Sequence, residues 1–149
     1  YCDAFYIGGT KMGALLGEAV VLTNLELQED FRYIVKQKGG MLAKGRILGI
    51  QFDELMKDGL YEKLGAHGDR MADRIRGAFR EKGFNFLVEN ETNQIFVILR
   101  DDQIQKLGER FGYCPHCRMD ENHSVIRLCT SWATREENVD TLVEFIKGL

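Results

Sequence analysis

The chain has 149 residues, 44% hydrophobic and 29% charged, with a net charge of −3 at pH 7. That length and composition suit one ordinary domain with a real core, and the slight acidity gives no basic footprint for nucleic acid. No apolar run nears the roughly 20 residues that cross a bilayer, and the first residues lack the charged and apolar regions of a secretory signal, so no membrane partner and a cytoplasmic setting are expected.

In chain order, residues 4–7 and 18–23 read as short buried strands, rich in β-branched and aromatic residues. Between them Gly8, Gly9 and Thr10 lead into Lys11. Leu27, Phe31, Ile34 and Val35 recur at helical spacing over 25–38, and Gly39-Gly40 breaks the run. A second helix is expected over 41–57, ended by Asp58-Gly59, and a third over 60–82, with Gly83 at the position after the C-cap. "FNFLVE" and "QIFVILR" then read as strands, "DDQIQKLGERFG" as a helix with acidic residues at its positive end, and "SVIRLCTSW" as a strand. The last helix lies in "TREENVDTLVEFIKGL", with Thr134 as N-cap and Glu137 completing a capping box. The pattern predicts an α/β chain with a seam near Gly83, dividing it into 1–83 and 84–149. Because the chain opens on Tyr1 inside a strand-like run, it reads as a piece of something longer.

Two features carry chemistry. A buried Lys11 would lose hydration, which lowers an amine's pKa and leaves a nucleophile toward carbonyls. The plainer alternative is an exposed lysine in a glycine-rich turn. Arg127 sits among Val125, Ile126, Leu128 and Cys129. Facing inward, it needs an anion, and a planar guanidinium suits a carboxylate; facing outward, it is simply solvated.

"YCPHCR" raises a rival. Cys114 and Cys117 have the spacing of a thiol–disulfide site or of half a zinc site, with His116, His123 and Cys129 as further ligands. A polar turn and a strand follow instead of a helix, and no second pair of ligands exists. The remaining alternative is a loop whose reduced thiols, like those of Cys2 and Cys129, have no assigned role.

Four stretches, "DAFYIGGTKMGALLGEAVVLTN", "GGMLAKGRILGIQFDELMKDGLY", "ETNQIFVIL" and "HSVIRLCTSWATREENVD", resemble in order the aldolase and β-eliminating lyase family. These are fold-type-I pyridoxal phosphate enzymes that include the low-specificity threonine aldolases. The resemblance implies pyridoxal 5′-phosphate as cofactor, held by Lys11 as a Schiff base in a pocket shaped by Thr10 and its glycines. It implies that Lys44 and Arg46 reach the cofactor phosphate of a neighbouring subunit, and that Arg127 grips the substrate carboxylate. No metal is expected. The implied reaction is retro-aldol cleavage of threonine or allo-threonine to glycine and acetaldehyde, with β-elimination open beside it. In the family the acidic partner of the ring nitrogen, the residue stacked on the ring and the main phosphate loop lie upstream. The resemblance thus makes 1–83 the end of the large domain and 84–149 the small α/β domain of a homodimer or homotetramer.

Overall fold

The computed structural model describes residues 1–149 as two compact units, Tyr1–Lys63 and Leu64–Leu149. No helix is long and apolar enough to cross a membrane.

In the first unit, β1 (Ala4–Gly8) and β2 (Glu18–Leu22) form an antiparallel ribbon with Ala4 opposite Leu22 and Gly8 opposite Glu18. The strands fall where expected but are not buried: Tyr6 is 75% exposed and Val20 53%. Two strands alone cannot cover both of their faces. The helix expected over 25–38 is divided. A 3-10 turn, Leu25–Gln28, is capped by the Asn24 side chain, which accepts from the Glu26 N–H at 3.0 Å. Asp30, at φ 54°, then breaks the run before α1 (Phe31–Gln37). The next helix, α2, covers Arg46–Met56 and starts five residues later than expected, because Leu42 to Gly45 close a turn of their own.

The second unit is built on α3 (Leu60–Glu81), which begins in the first. It contains β3 (Gln94–Arg100), α4 (Asp101–Gly108), β4 (Cys114–Arg118), β5 (His123–Cys129) and α5 (Glu136–Lys147). The three strands form an antiparallel sheet in the order β3-β5-β4. Ile95, Val97 and Leu99 alternate with less buried residues along β3, and Leu128 and Ile126 lie opposite the first two. This face packs against Met71, Ile75 and Phe79 of α3, Leu107 of α4, and Val139, Leu142 and Ile146 of α5. Period 2 in the strands meets spacings of three and four in the helices, which gives one continuous core. The compact units divide at 63/64 rather than at the expected seam of Gly83, because the apolar stripe of α3 belongs to this core.

Gly83 is instead where α3 reverses. At φ 78° it closes a Schellman motif: its N–H donates to the Arg80 carbonyl at 2.9 Å, and the Phe84 N–H donates to the Phe79 carbonyl at 3.0 Å. The Phe79 and Phe84 rings meet edge to face at 5.5 Å across the motif. The following segment is not the strand expected from "FNFLVE". Leu87 N–H donates to the Phe96 carbonyl and Ile98 N–H to the Asn85 carbonyl, both at 2.9 Å, and the ladder stops there. Arginines of α3 draw the chain away. Arg80 pairs with Glu89, and Arg76, only 3% exposed, bonds Asp73, the Asn90 side chain at 3.2 Å and the Thr92 carbonyl at 2.8 Å. A buried guanidinium is tolerated because those acceptors satisfy it.

Two further expectations differ. Thr134 does not cap α5: its Oγ1 accepts from the Ser131 N–H at 2.8 Å, and the N-cap is Arg135, without a capping side chain. Cys114–Arg118, expected to be a loop, is an edge strand.

Gly83→Ala places a Cβ at positive φ and is expected to destabilise the second unit by about 1–2 kcal/mol. Gly77→Ala, where an added Cβ meets nothing within 4 Å, should stabilise α3 by about 0.5–1 kcal/mol. Urea titration followed by Trp132, the one tryptophan, checks both signs.

Candidate functional site

The Lys11 turn is built by exclusion of side chains. Gly9 is buried, and a Cβ on it would lie 2.8 Å from the Gly17 carbonyl oxygen and 2.9 Å from the Phe52 ring. Its carbonyl accepts from the Met12 and Ala14 N–H groups at 3.0 and 3.1 Å, forming the 3-10 turn Thr10–Met12. Gly17, at φ 103°, lets Leu48 of α2 approach. The Tyr61 hydroxyl donates to the Gly8 carbonyl at 3.0 Å. The turn is thus held from below by α2 and Tyr61, while Thr10 and Lys11 are exposed. The expectation of a buried, poorly hydrated lysine is not met within this chain, because no element of the first unit lies over the turn.

Lys44 and Arg46 stand at the start of the same helix that supports the turn. Both are exposed, and the first turn of α2 has no acidic residue. The Ile47 and Leu48 N–H groups are taken by the Lys44 and Gly45 carbonyls, so what favours an anion here is the positive end of the helix dipole and the two cations.

Arg127 belongs to the second unit, so the sequence-derived site is divided between units: Thr10, Lys11, Lys44 and Arg46 in one, Arg127 in the other. In β5 its neighbours Ile126 and Leu128 point into the core, so Arg127 falls on the face the helices do not cover. There it lies in register between Phe96 of β3 and Cys114 of β4. Its Nη1 reaches Gln94 Oε1 at only 3.5 Å, and its Nε is buried without a partner. The Cys114 sulfur beside it, followed by the charges of Cys129 and Cys114, raises its pKa above the usual arginine value. A charged fork with spare donors on an open sheet face is suited to bind an anion.

The same face carries residues that the sequence reading left without a role. Gln94 and Phe96 alternate with Ile95 and Val97, and that period of two is the signal that places them beside Arg127. Asn93 turns elsewhere, its Nδ2 donating to the Thr130 carbonyl at 2.7 Å. His67 is satisfied by the Thr134 carbonyl at 2.7 Å. The zinc alternative at Cys114 and Cys117 lacks a ligand set, since no three His, Cys, Asp or Glu side chains are grouped to hold a metal.

No protein-family model matches the chain. It is 28% identical over 148 residues to a low specificity L-threonine aldolase of a Pseudomonas species, covering 99% of this chain and 42% of that protein. It is 30% identical over 146 residues to the low specificity L-threonine aldolase of Pseudomonas aeruginosa, covering 97% and 41%. The solved structure of Leishmania major threonine aldolase superposes with a TM-score of 0.94 at 39% identity, over 98% of this chain and 43% of that one. By sequence and by fold, the chain is similar to the C-terminal part of the threonine aldolases. It spans about two fifths of the length of the relatives it matches. The mixed α/β architecture matches that threonine aldolase structure and agrees with the small-domain fold implied by the resemblance.

Gly9→Ala should push the Gly17 carbonyl and Phe52 apart and destabilise the first unit by about 1–3 kcal/mol. A lowered urea midpoint in far-ultraviolet circular dichroism, with Trp132 emission unchanged at that concentration, is the expected result.

Proposed function

We propose that this chain carries the cofactor lysine and the carboxylate-binding arginine of a pyridoxal phosphate-dependent lyase. The reaction is retro-aldol cleavage of threonine or allo-threonine to glycine and acetaldehyde. The observation that carries the reading is the Arg127 guanidinium, which lies on the sheet face the helices leave bare with its buried Nε unpartnered, in a chain matched to threonine aldolases along nearly its full length.

The residues present fit the cofactor. It needs a primary amine, small residues beside that amine and cations for its phosphate. Lys11 stands on a turn whose glycine positions a Cβ would fill, and Lys44 and Arg46 flank a helix start free of acidic residues. Lys11 Nζ would hold the aldehyde carbon, Thr10 would line the pocket, and Lys44 and Arg46 would reach the phosphate across a subunit boundary. When bound, pyridoxal phosphate supplies an electron sink for a bond broken at Cα of an amino acid. Arg127 takes the substrate carboxylate in a two-point fork, which restricts rotation about Cα and so selects the bond that breaks. Gln94 Oε1 steadies the fork from the neighbouring strand.

The partner we propose is the remaining length of the same enzyme, assembled as a homodimer or homotetramer. Leu15, Val20, Leu25, Tyr33 and Ile47 of the first unit are all more than half exposed, large apolar side chains that a further part of the enzyme would cover. The same groups serve a β-eliminating lyase. Glycine and an aldehyde as products indicate the aldolase, and a keto acid with ammonia the eliminating enzyme.

In the full-length protein containing this chain, borohydride reduction with pyridoxal phosphate should leave a pyridoxyl group on Lys11, detected by peptide mass. Lys11→Ala should remove the adduct and lower cleavage at least about a thousandfold. Arg127→Met, losing charge-assisted bonds worth about 1.5–3 kcal/mol, should raise KM for threonine about 10–100-fold. An adduct on another lysine, or an unchanged KM in Arg127→Met, overturns the assignment.

A further inference from the structure

Val125 and Arg127 of β5 share the sheet face that the helices leave bare, yet the first is closed to water and the second is partly so. Val125 is 1% exposed although it stands outside the core cluster, and the Arg127 Nε is buried. Side chains on that face must cover them. The strand order places β5 between β3 and β4, so residues of the two outer strands start roughly 9.6 Å apart, two strand spacings. The rings of Phe96 on β3 and His116 on β4 nevertheless meet edge to face, with centroids 4.9 Å apart and planes at 63°. They close that gap only by leaning toward each other over β5.

A bulge makes this reach available. Cys114 pairs with Arg127, Pro115 with Ile126 and Cys117 with Val125, so His116 is the extra residue of β4. A bulge re-aims the side chain it adds. Phe96 is the cross-strand partner of Arg127, and side chains directly opposite in an antiparallel pair start about 5 Å apart and touch. The bridge of rings therefore stands beside Arg127, on the way to Val125. The guanidinium is turned the other way. Its Nη1 lies 3.5 Å from Gln94 Oε1, and Gln94 pairs with Cys129 at the far end of β5.

We propose that His116 is a positioning residue for Arg127: its ring, held against Phe96, is a wall over β5 that keeps water from the Nε and directs the guanidinium toward the Gln94 end of the sheet, where it takes the carboxylate. A charge-assisted hydrogen bond is stronger where water is excluded, and a fork held in one direction loses less freedom when it binds. The imidazole acts by its shape. No bond or proton transfer at His116 is involved, and an aromatic ring of similar size serves equally. The wall stands on the ring and strand geometry alone, whereas its effect on substrate rests on the role proposed for Arg127.

The test uses the full-length holoenzyme containing this chain. His116→Ala should raise KM for threonine about two- to tenfold, the worth of one hydrogen bond, with kcat little changed. His116→Phe should restore the original KM, and His116→Asn, polar but without a ring, should not. Phenylglyoxal reports on the guanidinium without catalysis. Its adduct on Arg127 blocks trypsin there, so Met119–Arg135 is released uncut. The adduct should form faster in His116→Ala than in the unsubstituted enzyme, and at the original rate in His116→Phe. A KM restored by Asn and not by Phe, or equal modification of Arg127 in all three proteins, overturns the wall. Faster modification with an unchanged KM overturns its effect on substrate. If threonine fails to protect Arg127 in the unsubstituted enzyme, the carboxylate role proposed above falls, while a modification rate that follows the ring leaves the wall standing.

Discussion

An arginine in the central strand of a sheet can place its charge only on the face that the helices leave bare. The second unit is organised around that constraint. Three helices cover one face of β3-β5-β4, and their apolar stripes match Ile95, Val97, Leu99, Ile126 and Leu128. Period 2 then assigns Arg127, Phe96, Gln94 and Cys114 to the other face together. Slipping β5 by one residue would exchange the two sets and bury a guanidinium in the core, at a cost far above that of any surface rearrangement. The register that makes the core is therefore the register that keeps the Arg127 guanidinium out of it.

The two buried or half-buried arginines of this unit show how partners decide a role. Arg76 is saturated by Asp73, Asn90 and the Thr92 carbonyl, and it fixes the path of the chain between α3 and β3. Arg127 has a long contact to Gln94, the Cys114 sulfur beside it and a buried Nε without a partner. Each follows an isoleucine in the sequence, Ile75 or Ile126, and the supply of acceptors is what separates the two.

The first unit presents its lysine by a different device. Gly9 and Gly17 are required because the Gly17 carbonyl, Phe52 and Leu48 occupy the space of a side chain. The resulting turn is tight and supported on one side. Its open side and the exposed apolar residues around it fit a chain that spans about two fifths of the relatives it resembles. Nothing within this unit makes the environment of Lys11 poorly hydrated. That property, which a burial argument from composition assigned to the residue, depends on what lies over the turn.

Local signals located most elements: β1, β2, β3 and β5 by their β-branched runs, α3 to Gly83, and α4 with its acidic start. They failed where a tertiary partner outweighed them. "FNFLVE" has strand composition, but Arg76 and Arg80 pull the chain from the ladder, and Thr134 spends its hydroxyl on Ser131 instead of on α5. The seam expected at Gly83 reflected a change in composition, whereas the stripe on α3 packs beyond it. From sequence alone came the types of group available: an amine among glycines, a guanidinium among aliphatics, two thiols three apart. Only the tertiary structure decided which share a surface, because a single bulged residue reverses the face of everything after it, and no local preference for strand or loop records that count.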